Sequence, residues 1–596
     1  LPGERILRKT FKQKTEHGAK GMEESRFQHI LNRIGLICFL IFFGISTVMV
    51  IRNSSRSGGL FPSDVKRLTF AHWQLEDGFR EGYADAIRVY EKLKADQGIN
   101  VKVVQTAVPS RGYAQWFLTQ LIGGDCADVI ELSGSQELQN QYFLPLSKYL
   151  AEENPYNRGT PLEGMAWRDT FADDMAGALS PTYSEYFGVS TLMCTTRMYV
   201  NVDLYRTATG SSKLPETLGE WLDSCEKIRA YGDRIGKPLI PIGVRGFTMG
   251  TISQICDHFN NLINADYNDF LSDYEYGIGN TELVRKFANG DKRVDLNRFL
   301  APAGLTVKIG KYFAKGFPSI DLEQTKFLFS SGTVAFFIDG TYNAFSMVNN
   351  SKFKVDVIPL PALGRGFKWK DLGRMTEVGS GIGGRFGVPK NAKDIDLAID
   401  FLKFITSYKI SQLTMIRHCK WGSPLKRVDY REAFGPEISS MCHCPGKADM
   451  TPAQIEEAVA LLEKCRPYEG AGHTGIPMLT HIGGRTEKDM LLVLEDLIIN
   501  QPENPEKEFW NAFLGKRNQI SNDLDEAIVS EKRTLHELDA MRTAFAIGEL
   551  GAVSSEEREA CNTRYKLNQE GLISRFKNLE DLQNLQKDIF KLKEIR

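Results

Sequence analysis

Apolar positions along this chain fall into short blocks whose spacing alternates between two residues and roughly three and a half. Lys66 to Trp73 (KRLTFAHW) alternates as a strand does. From Gly78 to Gln97, Phe79, Tyr83, Ile87, Tyr90 and Leu93 recur near helical spacing, and Gly98 stops the helix. Ile99 to Gln105 reads as the next strand, and a helix from about Gly112 carries Tyr113, Trp116, Phe117 and Leu121. It ends at Gly123-Gly124, and Ala127 to Leu132 is a third strand. Strand and helix in this alternation predict a doubly wound α/β sheet. Such sheets bind ligands beyond the carboxyl ends of their strands.

The organising stretch lies further on, from Tyr186 to Trp221. A strand-like run, Phe187-Gly188-Val189, meets a polar break at Ser190 and Thr191. A second run, Met198-Tyr199-Val200, leaves its strand at Asn201-Val202-Asp203, where short polar side chains compete for backbone hydrogen bonds. Thr217 followed by Glu220 predicts a capping box, with Trp221, Leu222 and Cys225 on the buried face. A second αβ region follows, with Leu239 to Ile242 as a strand and helix and loop over 250–290; the block Gly332 to Tyr342 then returns the chain to the first region, and Lys354 to Leu360 reads as a further strand. Gly379 to Gly384 reads as a tight turn, since it lacks the lysine of a phosphate-binding loop. From residue 503 the spacing changes to a near-heptad stripe, broken at Gly551 to Ser555 and resumed to Leu592. That predicts an antiparallel helical hairpin over 503–596, open to self-association or to service as a spacer.

With 596 residues, several domains are expected. The net charge of −1 gives no reason to expect a nucleic-acid partner. Residues 1–33 carry eight Lys/Arg against four Glu, and Met22 is a candidate initiator. The uncharged run Ile34 to Ile51 has 18 residues, about 27 Å of helix, enough to cross a bilayer core. The basic excess before it places the N-terminus in the cytoplasm and the bulk of the chain outside, as an extracytoplasmic, periplasmic body on a single-pass anchor. No small-x-small cleavage pattern follows the run, so it reads as a signal anchor, with a cleaved signal peptide as the rival. Residues 52–65 are a Ser/Gly-rich linker. Of ten cysteines, nine face the oxidising side, where some are expected to pair. Met441-Cys442-His443-Cys444 lacks the spacing of a zinc or haem motif, so thiol or disulfide is preferred to metal, and no cofactor is expected.

Several blocks, in order, resemble the family 1 extracellular solute-binding proteins, the maltose-binding-like receptors of ABC sugar importers. They are Gly188-Val189-Ser190, Tyr199-Val200-Asn201-Val202-Asp203-Leu204 and Pro215-Glu216-Thr217-Leu218-Gly219-Glu220. Gly332 to Tyr342, Pro359-Leu360-Pro361, Gly387-Val388-Pro389-Lys390, Ala398 to Ser407 and Trp421 to Leu425 continue the series. Val200 stands where the family usually has a second aromatic. The resemblance implies an α/β, two-lobed periplasmic-binding-protein-like fold (type II) over 66–500. Lobe 1 is expected over about 66–180 and 328–376, and lobe 2 over about 187–318 and 386–500. Hinge crossings are expected near 180–187, 318–328 and 376–386. It also implies a carbohydrate ligand and ABC permease subunits as partners. It does not cover the C-terminal hairpin.

A sugar offers flat C–H faces and a rim of hydroxyls, so its site needs aromatic plates beside fixed polar groups. Trp73, Tyr342 and Trp421 are the candidate plates, with Gly381 giving close backbone approach. Arg111, Glu131, Ser133, Glu185 and Asp339 are the candidate hydroxyl binders. No G-x-S-x-G, H-E-x-x-H or Walker A pattern is present, so the chain reads as a binder and not an enzyme. A ligand-sensing or scaffolding receptor is the alternative, and a surface glycosidase using Glu131 with Asp339 stands behind it.

Overall fold

The computed structural model describes residues 65–592, except 77, 181–182, 184, 246–250, 268–279, 370–380, 444–449, 468–483 and 552–554. The expected membrane run Ile34–Ile51 lies outside the described residues. Among those described, no helix is long and apolar enough to cross a membrane. The chain divides into two compact units, residues 1–67 with 94–102, and residues 68–93 with 103–596. Of the first, the described part is held by a hydrogen bond from the Lys66 amide to the Asn100 carbonyl.

Most of the described strands fall in two sheets. The first contains β1 (Lys66–His72), β2 (Val101–Ala107), β3 (Val129–Glu131), β6 (Val189–Cys194) and β11 (Gly381–Gly387), in the order β2-β1-β3-β11-β6. β1 and β3 run parallel, with Phe70 opposite Val129, and β11 runs antiparallel to β3 and β6. The second contains β7 (Thr196–Asn201), β8 (Ile240–Gly243), β9 (Val334–Gly340) and β10 (Val355–Ile358), in the order β10-β7-β9-β8. A two-stranded ribbon of β4 (Leu179–Ser180) and β5 (Glu185–Tyr186) completes the strands among the described residues. The parallel strands of the first sheet are joined through the helices Phe79–Asp96 and Ser110–Gly123, as the alternation of periods requires.

Sheet membership departs from the sequence expectation in three places. β9 and β10 pair with β7, so 334–358 belong with the second sheet and not the first. β11 and the helix Ile395–Ile405 belong with the first: Phe386 and Phe401 both pack on Phe70 of β1. The change of sheet therefore falls at Thr195, between β6 and β7, and again between β10 and β11; 318–328 is not a crossing, since β8 and β9 share a sheet. Ser190 and Thr191 do not break a strand but lie buried in β6, where the Thr191 hydroxyl donates to the Gly384 carbonyl at 3.0 Å. From Gly381 onward the glycine run is a strand and not a turn, while Gly379 and Ser380 lie outside the described residues. A Cβ at Gly383 would lie 3.0 Å from Leu192, so absent side chains let β11 and β6 approach.

Local signals performed as their chemistry demands. Asn201 caps the helix Val202–Thr209 by accepting from the Leu204 amide at 3.0 Å. Thr217 and Glu220 form the reciprocal capping box on the helix Leu218–Ile235, whose Trp221 and Cys225 are buried. Gly78 has φ +89°, and a Cβ there would lie 2.3 Å from the His418 carbonyl oxygen. Gly78→Ala is therefore expected to destabilise the protein by about 3 kcal/mol, the top of the range for backbone strain, because contact adds to it. Urea unfolding followed by tryptophan fluorescence measures this.

The C-terminal segment is three helices, Pro505–Gly515, Arg517–Gly551 and Ser555–Asp588. The last two form the expected hairpin. Its outer part packs Leu535, Leu538 and Leu572 against Tyr113, Phe117 and Phe187 of the first lobe. Its base packs Ile520, Leu524, Leu582 and Leu585 into the core around β7 and β9. One hairpin thus touches both lobes, which a free spacer would not do.

Candidate functional site

The first group of candidate residues sits where β1 and β3 end. The Trp73 amide donates to Glu131 Oε2 at 3.2 Å, and Gln74 Nε2 donates to Oε1 at 2.9 Å. Glu131 is buried, and that burial pushes its carboxyl up to about 7 against the two hydrogen bonds, which favour the charged form. The Tyr113 hydroxyl donates to the Glu131 carbonyl, and half-buried Trp73 packs against the Tyr113 cluster. An acid whose folded pKa exceeds its unfolded value holds its proton longer in the native state. Its stabilising contribution is complete below about pH 4.5 and is lost as pH rises through 7. Between pH 5 and pH 8 this amounts to about 2–3 kcal/mol. Glu131→Gln keeps one of the two acceptor oxygens and removes the titration. It is expected to flatten that part of the stability–pH curve in urea unfolding, with its gain over wild type growing toward pH 8.

The second group sits at the end of β9. Asp339 is buried and accepts from Asn343 Nδ2 at 2.6 Å and from the Tyr342 hydroxyl at 3.3 Å. Burial raises its pKa, while the charge of Arg245 works in the opposite direction. Trp421 Nε1 donates to the Tyr342 carbonyl at 3.0 Å, and their rings meet edge to face at 6.4 Å. Trp421 also packs on Phe79 at 5.9 Å, and Phe79 on His72 at 5.0 Å. The sequence His72, Phe79, Trp421, Tyr342 is therefore a chain of rings from the carboxyl end of β1, in one sheet, to the carboxyl end of β9, in the other. Burial holds His72 neutral, its pKa pulled down to about 4, so this chain carries no fixed charge near neutrality.

The structure joins Trp73 to Glu131, and Asp339 to Tyr342 and Trp421. It does not join the remaining candidates to either group. Arg111 is exposed on the first turn of the helix Ser110–Gly123. Ser133 is half-buried just past β3. Glu185 is buried in the β4–β5 ribbon, where it accepts from the Ser147 amide at 2.9 Å, the Ser147 hydroxyl and its neighbouring Tyr186 amide at 2.8 Å. Those bonds hold the ribbon on the helix Ser147–Leu150. Gly381 opens β11 opposite Cys194.

Several participants went unread. Phe79 and His72 carry ordinary core spacing, and Gln74, Asn343 and Arg245 lie in no motif. Thr195 at the sheet crossing exchanges bonds with Thr341: the Thr341 amide donates to its carbonyl at 2.8 Å, and its own amide donates to the Thr341 hydroxyl at 3.2 Å. Beside it, the Arg197 guanidinium donates to the carbonyls of Thr196 at 3.0 Å, Lys464 at 3.1 Å and Arg466 at 2.7 Å. A buried cation so engaged is a structural tie across the second lobe.

Two mixed α/β lobes, with aromatic and carboxyl groups gathered at the strand ends of both, define a two-lobed solute-binding protein. The chain belongs to the bacterial extracellular solute-binding proteins, whose family pattern it matches over residues 73–410. Among solved structures, a chitin oligosaccharide binding protein is similar at 17% identity, covering 76% of this chain and 98% of that one, with TM-score 0.48. The maltose/maltodextrin-binding domain MalE from Bdellovibrio bacteriovorus, bound to maltotriose, is similar at 15% identity, covering 76% and 99%, with TM-score 0.47. The GacH receptor of Streptomyces glaucescens, solved unliganded and with acarbose, is similar at 14% identity, covering 76% and 98%, with TM-score 0.48. No curated protein matches the chain.

Proposed function

We propose that this protein captures a carbohydrate between its lobes, by hinge closure, and passes it to an ABC importer. On this reading it works outside the cytoplasm, held at the membrane through residues 34–51. The observation that supports the reading is the run of rings from His72 to Tyr342, with Glu131 at one strand end and Asp339 at the other. Aromatic edges and carboxyl oxygens together suit a ligand with C–H faces and many hydroxyls. Trp73 and Tyr342 are the plates of this proposal, with Trp421 supporting Tyr342 from behind. Glu131 and Asp339 are its hydroxyl acceptors, and Arg111, Ser133, Glu185 and Gly381 are peripheral to it. The carboxyls bind and do not cut: each already holds side-chain amide donors in place. Permease subunits are the proposed partners.

A sensing role is the second reading, and the hairpin favours it, because a helix pair seated on both lobes feels any change between them. Isothermal calorimetry against chito-, malto- and xylo-oligosaccharides, with amino acids and dipeptides as controls, tests the shared claim of carbohydrate capture. A saturable heat with one oligosaccharide class is expected. Heats from peptides alone would overturn it.

A further inference from the structure

Away from the strand ends, three side chains from distant parts of the chain point their donor atoms at one spot. Asp85 lies on the helix Phe79–Asp96, His418 in the helical turn Gln412–Cys419, and Cys442 just past the helix Pro436–Met441. Asp85 Oδ2 stands 3.1 Å from His418 Nε2, and Cys442 Sγ stands 3.8 Å from the same nitrogen. All three donor atoms lie within 4.8 Å of one another. The Asp85 and His418 side chains are 4% and 3% exposed, which is rare for a carboxylate without a strong partner.

The shared nitrogen decides between two readings. In a nucleophile–base–acid relay the imidazole uses one nitrogen toward the thiol and the other toward the carboxylate. Here both acceptors face Nε2, and a single N–H can point well at only one of them. A metal ion meets all three with one centre. Bonds of ~2.0–2.3 Å in a tetrahedron set neighbouring donors ~3.3–3.6 Å apart, and the two measured edges of 3.1 and 3.8 Å bracket that spacing. Thiolate, imidazole and carboxylate together match zinc, and three protein ligands leave one position for water.

The surroundings also fit. The His443 amide donates to both Asp85 oxygens, at 3.1 and 3.0 Å, and so orients the carboxylate. Arg417 Nε donates to Cys442 Sγ at 3.1 Å, which stabilises a thiolate and leaves sulfur lone pairs for a metal. Arg88 Nε, 3.8 Å from Asp85 Oδ1, adds a second positive charge at the rim. These two guanidinium groups lower the affinity below that of an unopposed site.

The geometry points to a divalent metal site, suited to Zn2+, built from Asp85, His418 and Cys442. It ties the Phe79–Asp96 helix to two segments more than 330 residues further along. It stands independently of what the cleft binds. Sequence alone favours a thiol or disulfide here, because the ligands share no local motif. Asp85 and His418 are 333 residues apart, so only the fold brings them together.

Cobalt substitution tests the site on the full chain, reduced and purified in mild detergent. Co2+ titration is expected to give thiolate-to-cobalt charge-transfer absorption saturating at about one equivalent, displaced by Zn2+. Cys442→Ser and His418→Gln are each expected to weaken Co2+ binding by ~100-fold or more, beyond the 10–100-fold typical of outer-shell partners. Cys126→Ser should leave the absorption unchanged. If wild type develops no such band, or if the band survives Cys442→Ser, the site does not exist. Should a variant fail to fold, peptide mass spectrometry after iodoacetamide labelling of wild type decides. Zn2+ must shield Cys442, and equal labelling with and without Zn2+ overturns the proposal.

Discussion

Truncation before residue 505 is expected to cost the second lobe its fold. Phe509, Trp510 and Phe513 are essentially unexposed, at 0%, 1% and 0%, and belong to the same core cluster as Met198, Val200 and Phe336. The helix Pro505–Gly515 lies so close to Leu296–Gly310 that a Cβ on Gly304 would overlap the Glu506 carboxyl. Removing the segment uncovers a continuous apolar face at the centre of the lobe, and Trp510→Ala alone should cost about 3–5 kcal/mol. Urea unfolding of Trp510→Ala measures the single step. For the truncated chain, a cooperative melt displaced by only a few degrees would contradict this account. Deleting the hairpin cannot separate transport from sensing, because the deletion removes core. Glu537, which accepts from the Tyr183 hydroxyl at 2.8 Å on the hairpin's contact with the first lobe, is a gentler target.

Tyr342→Ala is expected to weaken ligand binding by roughly ten- to a hundredfold, since burying a ring face is worth about 1.5–3 kcal/mol. Tyr342 is half-buried, whereas Trp421 is 6% exposed and supports it. The mutation also strips a hydroxyl from Asp339, leaving that carboxylate with Asn343 and the Gly340 amide. Trp421→Phe keeps a ring on Phe79 and loses the bond to the Tyr342 carbonyl. Leaving that carbonyl unpaired costs about 1–3 kcal/mol. Calorimetry against the oligosaccharide that binds wild type measures both variants. Unchanged affinity in Tyr342→Ala, with unchanged stability, would remove the aromatic end of β9 from the site.

Signals that act over a few residues were legible in the sequence. The Asn201 cap, the Thr217–Glu220 box and the strands around them depend on neighbours three or four positions away. Sheet assignment was not legible, because β9 and β10 are fixed by pairing with β7, over 130 residues earlier. The glycine run misled for a related reason. Glycine marks a turn by its own freedom, but here it marks a strand pressed against Leu192. Aromatic residues at strand ends were readable as a type: Trp73 follows β1 and Tyr342 follows β9, whereas Trp421 follows the helical turn Gln412–Cys419. Phe79 was not readable, since a helical phenylalanine at core spacing looks the same whether or not it stands behind a site. The hairpin showed its amphipathic stripe plainly, but a stripe does not name what covers it.

Closure of two lobes on a polyhydroxylated ligand is the central claim, and an intramolecular distance reports it directly. Spin labels at Thr119, on a helix of the first lobe, and Lys227, on a helix of the second, occupy exposed positions. Pulsed electron resonance across these labels, with and without oligosaccharides, gives the distance distribution in each state. The account predicts a shift to one narrower distribution with a single class of oligosaccharide and none with amino acids or peptides. An oligosaccharide that binds by calorimetry while the distribution stays fixed would contradict it.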